Sequence, residues 1–281
     1  MIDLHSHSTV SDGTDSPEHV IEMSRAAGLA ALALTDHDTL EHVAVAQAAA
    51  RTCGVRFVPG CEISCELEGR APGTMHLLVY FIDDGVGPLQ DRLDELQAGR
   101  NERNEKIVAA LRAHGIEVTI DDVHAKAGPG SVGRPHVARV LMEKGYVSSI
   151  QEAFDVWLAR GRPAYYERPR LTPETAIELA HQSGGVCSIA HPATLGLDGE
   201  YVEAFIGVLT DTGLDALECE YGAYTLEERS AWRVLAERHG LALTGGSDYH
   251  GENKPGLALG VGRGDLQVPD GLLDALEARR R

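Results

Sequence analysis

No run of apolar residues in this chain approaches the roughly 18 that a membrane-spanning helix needs, so none is expected. The paired Cys-x-x-Cys spacing of thiolate zinc sites is also missing. The five cysteines, Cys53, Cys61, Cys65, Cys187 and Cys219, are odd in number and scattered, which argues against a disulfide framework. They read as reduced, mostly buried thiols, although Cys61 and Cys65 flank Glu62 and invite a question about redox sensitivity. Nor is there room for a secretion leader: Met1 runs straight into the strand-like Ile2-Asp3-Leu4, and the expected location is the cytoplasm. Basic charge is scarce. Against 43 acidic residues stand 25 basic ones, a formal net charge of −18. Such a surface repels polyanions, which argues against stable duplex DNA binding and against membrane binding. It leaves room for a small phosphorylated ligand, because bound cations reverse the field locally.

What remains is ordinary globular material: 281 residues, 43% hydrophobic and 24% charged. That length suits one barrel-sized α/β domain with an insertion. Short apolar runs alternate with helical patterns at first. Strands are expected at Ile2–His5, Leu29–Thr35, Phe57–Ser64 and Met75–Ile82. A helix starts at Ser16-Pro17-Glu18, with Ser as cap and Pro in the first turn, and Gly28 stops it; a second is expected over Thr39–Thr52. Alternation of this kind predicts parallel strands joined by crossover helices. From about Leu89 to Glu167 the pattern turns mainly helical, broken at Gly128-Pro129-Gly130 and at Gly161-Arg162-Pro163. Alternation then resumes. Strands are expected at Val186–Ala190, Ala216–Tyr221 and Leu241–Gly245, with helices at Thr172–Ser183, Glu200–Thr212, Thr225–His239 and Leu272–Arg280. About seven strand–helix units suggest a barrel or a nearly closed sheet. Residues 1–83 and 169–281 would form it, and residues 84–168 would be a helical insertion acting as a substrate lid.

The chemistry is concentrated at the strand ends. His5 and His7 close the first strand, with Asp12 shortly after. His37 follows the second, Glu62 ends the third, His76 begins the fourth, His191 ends the fifth, and Asp248 and His250 follow the last. In a parallel barrel those ends share one face, where sites are built. Residues i and i+2 on a strand project to one side, so His5/His7 and Asp248/His250 can each chelate. Neutral imidazole and carboxylate suit manganese, zinc or iron. His42, His114, His124, His181 and His239 lie away from strand ends and receive no role.

These motifs carry a family resemblance. Asp3-Leu4-His5-Ser6-His7-Ser8 with Ser11-Asp12-Gly13, Leu34-Thr35-Asp36-His37-Asp38, Gly60-Cys61-Glu62, Ala190-His191-Pro192 and Gly246-Ser247-Asp248-Tyr249-His250 resemble the successive motifs of the polymerase-and-histidinol-phosphatase (PHP) superfamily. The resemblance spans essentially the whole chain and implies an α/β fold, a distorted (β/α)7 barrel. The insertion, with Arg134-Pro135-His136 and Gly161-Arg162-Pro163-Ala164-Tyr165, resembles the subgroup of nucleoside 3′,5′-bisphosphate phosphatases and 5′-to-3′ exonucleases of short RNA.

By this resemblance the chain is a metal-dependent phosphoesterase with two or three divalent ions, manganese foremost, zinc or iron as alternatives. One metal would be held by His5, His7, Glu62 and Asp248, a second by Glu62, His76 and His191, a third by Asp12, His37 and His250. The bottom-up reading finds the same residues without dividing them among metals. Glu62, His191, Asp248 and His250 are the catalytic candidates, with a hydroxide between two metals as nucleophile. The general acid is left open between His191, His250 and a metal-bound water.

Arg134, His136 and Arg162 are the candidates for gripping a second phosphate, arginine through its bidentate fork. Tyr165, Tyr166 and Tyr221 read as core tyrosines or as platforms for a base. Asp36 and Asp38 would orient imidazoles, with Asp38 equally readable as the cap of the next helix. One position departs from the pattern: relatives often carry a basic residue soon after the His-Pro pair, where this chain reads Ala193-Thr194-Leu195. The expected partner is a phosphorylated nucleotide or short RNA. A small-monoester phosphatase of the histidinol phosphate type and an inactive metal-binding regulatory module are the competing readings.

Overall fold

The computed structural model describes residues 1–82, 87–127 and 132–281. Seven strands form one sheet in the order of the chain. They are β1 (Ile2–Asp3), β2 (Ala31–Leu34), β3 (Arg56–Cys65), β4 (Met75–Tyr80), β5 (Val186–Ile189), β6 (Ala216–Tyr221) and β7 (Ala242–Gly246). The sheet nearly closes: Leu4 N–H donates to Gly245 O at 3.0 Å, Asp248 N–H to His5 O at 2.8 Å and His7 N–H to Tyr249 O at 2.9 Å. A Cβ on Gly246 would lie 2.4 Å from the His5 backbone nitrogen, so the closure requires glycine there.

Alternation sorts the side chains. On β2, Leu32 and Leu34 face outward into a cluster with Val20, Ile21, Ala46 and Ala50 of the surrounding helices. Ala31 and Ala33 face inward with Ile2, Leu4, Val58, Leu78 and Tyr80. On β3, Cys61, Ile63 and Cys65 belong to the outer cluster, which turns Glu62 inward. Cys61 and Cys65 are buried and burial raises their thiol pKa, so they are packing residues rather than reactive thiols.

The helices begin where the sequence supplies caps. Ser16 accepts from His19 N–H to start α1 (Pro17–Ala26), and Thr172 accepts from Thr175 N–H to start α7 (Pro173–Gln182). Thr225 and Glu228 form a reciprocal capping box on α9 (Leu226–Arg238). Two expectations are corrected. The sheet is not uniformly parallel, because β4 runs antiparallel to both β3 and β5. Residues 66–74 are too few for a crossover helix, and a short connection returns the chain as a hairpin. The helix expected from Thr39 instead begins at Val43 as α2 (Val43–Cys53), without a side-chain cap. Asp38 is engaged elsewhere.

Between β4 and α7 lie α3 (Pro88–Ala113), α4 (Ile120–Ala127), α5 (Arg134–Glu143), and α6 (Ile150–Ala153) with a π-helical turn over Phe154–Leu158. They gather a separate core, including Ile107, Leu111, Val137, Leu141 and Leu158. Helix α3 bridges both cores, burying Leu89, Leu93 and Leu96 in the barrel's cluster and Ile107, Val108 and Leu111 in the other. The anticipated boundary at residues 83/84 and the Gly128-Pro129-Gly130 break lie outside the described residues. Helix α8 (Gly199–Asp211) and α10 (Gly271–Glu277) complete the outer layer. No described helix is long and apolar enough to cross a membrane.

Candidate metal centre

The antiparallel turn of β4 explains how His76, at the beginning of its strand, joins residues at the ends of the others. It pairs in register with Ser64, two residues beyond Glu62. Likewise His37 forms a parallel bridge with Glu62. His5, His7, Asp12, His37, Glu62, His76, His191, Asp248 and His250 thus converge, and they fall into overlapping groups whose donor atoms lie within 4.8 Å of one another.

Glu62 is the hub. Its Oε1 lies 2.9 Å from both His76 Nδ1 and His191 Nε2. Its Oε2 lies 3.2 Å from His7 Nε2, 3.2 Å from His37 Nδ1 and 3.3 Å from His5 Nε2. Asp248 Oδ1 faces His250 Nδ1 at 3.3 Å and His5 Nε2 at 3.5 Å. Asp12 faces His250 at 3.3 Å and His37 at 3.7 Å.

The side chains fit a metal. His5 Nε2, His7 Nε2 and His37 Nδ1 are buried and, among the described residues, make no hydrogen bond. Buried polar atoms normally have partners, and three orphans aimed at one carboxylate form a group that could hold cations. The ligands are imidazole nitrogens and carboxylate oxygens, with no thiolate.

Electrostatics agree. Burial, then the neighbouring His250, pushes His7 down to about 4, which keeps it a neutral donor near pH 7. Burial alone would raise the Glu62 and Asp12 carboxyls, but the surrounding imidazoles outweigh it and hold both well below the usual range. His5 behaves oppositely: burial would lower it, yet Glu218, Asp248 and Glu62 hold it well above its usual value.

A supporting layer fixes the ligands, and most of it escapes sequence reasoning. Glu218 Oε1 lies 2.9 Å from His5 Nδ1, and Glu218 Oε2 accepts from the His191 backbone N–H at 2.6 Å. Asp36 accepts from Ser8 N–H at 2.8 Å and from Ser11 Oγ at 2.6 Å, and His42 Nδ1 stands 3.1 Å away. His42 therefore has a part in the site's framework. Tyr221 Oη donates to Asp248 Oδ2 at 2.6 Å, so its hydroxyl holds a ligand. Asp38, His191 and Asp248 have φ of 56°, 29° and 55°, a backbone strain that clusters at this site.

Beside the centre, a cavity of about 610 Å³ runs from Asp12, His37 and His76 to the inserted helices. Arg134 lines it, half-buried, donating to Leu158 O at 3.1 Å with its guanidinium 5.3 Å from the Tyr165 ring. His136 lines it too and accepts from Gly133 N–H at Nδ1 at 3.0 Å. Arg162 is exposed and is not among the lining residues; Arg160 is. Tyr165 lines the cavity, while Tyr166 is exposed.

Sequence reasoning also missed Arg100, Arg103, Arg168 and Arg170 in this wall. Asp38 receives Arg100 and Arg168 on one carboxylate oxygen and Ser64 N–H on the other at 2.9 Å. The signal was present in α3, where Arg100, Arg103, Ile107 and Leu111 share one face at helical spacing. In the sequence the run from Arg100 to Lys106 stands out only as a charged stretch of a helical pattern.

Comparison with known proteins points the same way. The family model of the PHP domain matches residues 3–193. A 3′,5′-nucleoside bisphosphate phosphatase of Chromobacterium violaceum is 34% identical over 92% of this chain and 90% of its own length. The 5′-3′ exoribonuclease Rnm of Escherichia coli is 32% identical over 92% of this chain and 87% of its own. A crystal structure from Bifidobacterium adolescentis, described as a metal-dependent phosphoesterase, superimposes with a TM-score of 0.85 at 28% identity, covering 100% of this chain and 96% of that one. With a family model over residues 3–193 and relatives at 32–34% identity over most of its length, the chain belongs to the PHP domain family of metal-dependent phosphoesterases.

Proposed function

We propose that this enzyme removes phosphate from nucleotides, with a nucleoside 3′,5′-bisphosphate or a 5′-phosphorylated short oligoribonucleotide as substrate. The single observation behind the substrate class is uncompensated buried positive charge. Arg100, Arg103, Arg134 and Arg168 line the cavity, and among the described residues Asp38 is the one carboxylate paired with any of them. Arg103 is pushed down to about 9 by burial and by Arg100, and Arg100 to about 10 by burial and by Arg168. Both stay charged near neutral pH, and an anion between them would relieve the repulsion. Among the described residues, Arg100 Nε, Arg103 Nε and Arg168 Nη1 are buried without hydrogen-bond partners. A phosphate distant from the reacting bond suits that need, and the two related enzymes named above act on nucleoside bisphosphates and on RNA.

In this reading the nine convergent residues hold the metals as the family resemblance divides them: His5, His7, Glu62 and Asp248; Glu62, His76 and His191; Asp12, His37 and His250. Divalent ions, manganese foremost, would acidify water and neutralise charge on the phosphate under attack. The chain's own residues do the positioning. Glu218 fixes the His5 tautomer, Tyr221 and Asp36 orient their neighbours, and the arginine wall holds the second phosphate so that the reacting one lies at the centre. His136, whose pKa burial lowers, is neutral; with Nδ1 accepting from Gly133, its proton sits on Nε2 as a donor. Residues 84–168 then serve as a lid that brings Arg100, Arg103 and Arg134 to the mouth.

The test is product release by manganese-loaded protein from adenosine 3′,5′-bisphosphate, 5′-phosphorylated short RNA, AMP and histidinol phosphate. Turnover of the first two is expected, abolished in His7→Ala. Arg103→Met should raise KM for the bisphosphate about tenfold or more, with a smaller effect on AMP. Turnover of histidinol phosphate alone would overturn the nucleotide assignment, and no turnover at all would overturn the activity.

A further inference from the structure

The arginine wall serves a distant phosphate, but its residues do not line the part of the site beside His191 and Asp248. A smaller cavity, about 200 Å³, is bounded by His76, His191, Thr194, Tyr221, Asp248 and Lys254 among others. Lys254 is the one lysine or arginine among its lining residues. Thr194 occupies part of the wall where the sequence, after His191-Pro192, offers no basic side chain.

Lys254 is held there by its loop. Asn253 Nδ2 donates to Asp12 O at 2.8 Å and Glu252 N–H to Thr14 Oγ1 at 3.1 Å, fastening the turn after β7 to the loop after β1. The ammonium then sits against Asp248 and Tyr221. It donates to Asp248 Oδ2 and, at 3.3 Å, to Tyr221 Oη, with the Tyr221 ring 5.9 Å away. An ammonium has three donors. Two are used, and the third has no partner among the described residues. Asp248 in turn divides its oxygens, Oδ1 toward His5, His7 and His250, Oδ2 toward Tyr221 and Lys254. A metal ligand and a cation thus share one carboxylate, which leaves the ammonium only partly neutralised.

We propose that Lys254 is a catalytic residue that binds an oxygen of the reacting phosphate from the barrel side, where, among the described residues, it is the one lysine or arginine lining the smaller cavity. The inference rests on the phosphoester reading above. Lys254 acts as a fixed cation with a spare donor, placed where negative charge grows as the phosphate is attacked. Arginines and lysine then divide the work: the former hold the distant phosphate, the latter the reacting one.

The experiment compares wild type, Lys254→Met and Lys254→Arg, all manganese-loaded, by metal content, calorimetric binding of inorganic phosphate, and kcat and KM. Lys254→Met should keep the wild-type metal content, bind phosphate about tenfold more weakly and lose about 10- to 100-fold in kcat. Lys254→Arg should recover much of both. Wild-type phosphate affinity and kcat in Lys254→Met would overturn the proposal. So would loss of metal in proportion to loss of activity, because Lys254 would then only position Asp248. If wild type hydrolyses no phosphate ester, the activity reading fails, and phosphate binding by the two variants still decides the role of Lys254.

Discussion

Glu218 Oε1 stands 2.9 Å from His5 Nδ1, both side chains fully buried, and this contact turns the other ring nitrogen, Nε2, toward Glu62 and Asp248. A carboxylate behind a ligand imidazole fixes its tautomer and raises its basicity. Glu218→Gln keeps the shape and loses the charge. Metal affinity should fall about 10- to 100-fold, read by titration against a competing chelator. Unchanged affinity would show that Glu218 only fills space.

Asp38 makes the acid dependence of stability predictable. Burial alone would raise its carboxyl, but Arg168 and Arg100 outweigh this and hold it well below its usual 3.8. A depressed folded pKa contributes stability that is fully present above the unfolded value and is lost as pH falls toward the folded one. Asp38→Asn also leaves two buried guanidiniums without their carboxylate, a loss of about 3–5 kcal/mol near pH 7. Denaturant unfolding should show the gap between wild type and Asp38→Asn narrowing below about pH 4, where the unfolded carboxyl protonates. A gap constant down to about pH 2 would refute this.

Metal removal should be felt throughout the barrel, since the proposed ligands come from both ends of the chain. Ligand at a hundredfold excess over Kd stabilises by about 2.7 kcal/mol per site, worth about 5–10 °C in Tm for a domain of this size. Chelator-treated protein should melt lower by at least that much, and manganese should restore it. Because Glu218, Asp248 and Glu62 outweigh burial and hold the His5 pKa well above its usual value, metal uptake must displace a proton. Affinity should therefore weaken as pH falls. Identical melting with and without manganese would show that the centre does not bind manganese.

At the opposite end of the barrel the last three residues act as a clasp. Arg279 donates to Gly240 O at 2.7 Å, Arg280 to Gly184 O at 3.2 Å and Arg281 to Gly213 O at 3.5 Å. Those glycines closely follow α9, α7 and α8, where helix carbonyls lack partners. Deleting residues 279–281 should lower Tm by about 2–4 °C with kcat unchanged, since these contacts are exposed and individually weak. A shift in kcat would mean that the clasp reaches the site.

The sequence alone determined the candidate ligand types and their placement at strand ends, because a period of two is a local property of a chain. His5/His7 and Asp248/His250 pair on the strength of their spacing, each being an i, i+2 step at a strand end. The helix starts at Ser16, Thr172 and Thr225 are legible for the same reason, a cap acting within one turn.

Only the tertiary structure decided the rest. The reversal of β4 fixes where His76 points, and a short loop reverses a strand without altering its apolar pattern. Arg100 and Arg103 share a face with Ile107 and Leu111, but it is the fold of the inserted helices that sets that face, with Arg168, against the cavity. Glu218 and Lys254 acquire their partners when the sheet closes on itself. What a polar side chain meets across the chain depends on how the barrel closes, and no local pattern records that distance.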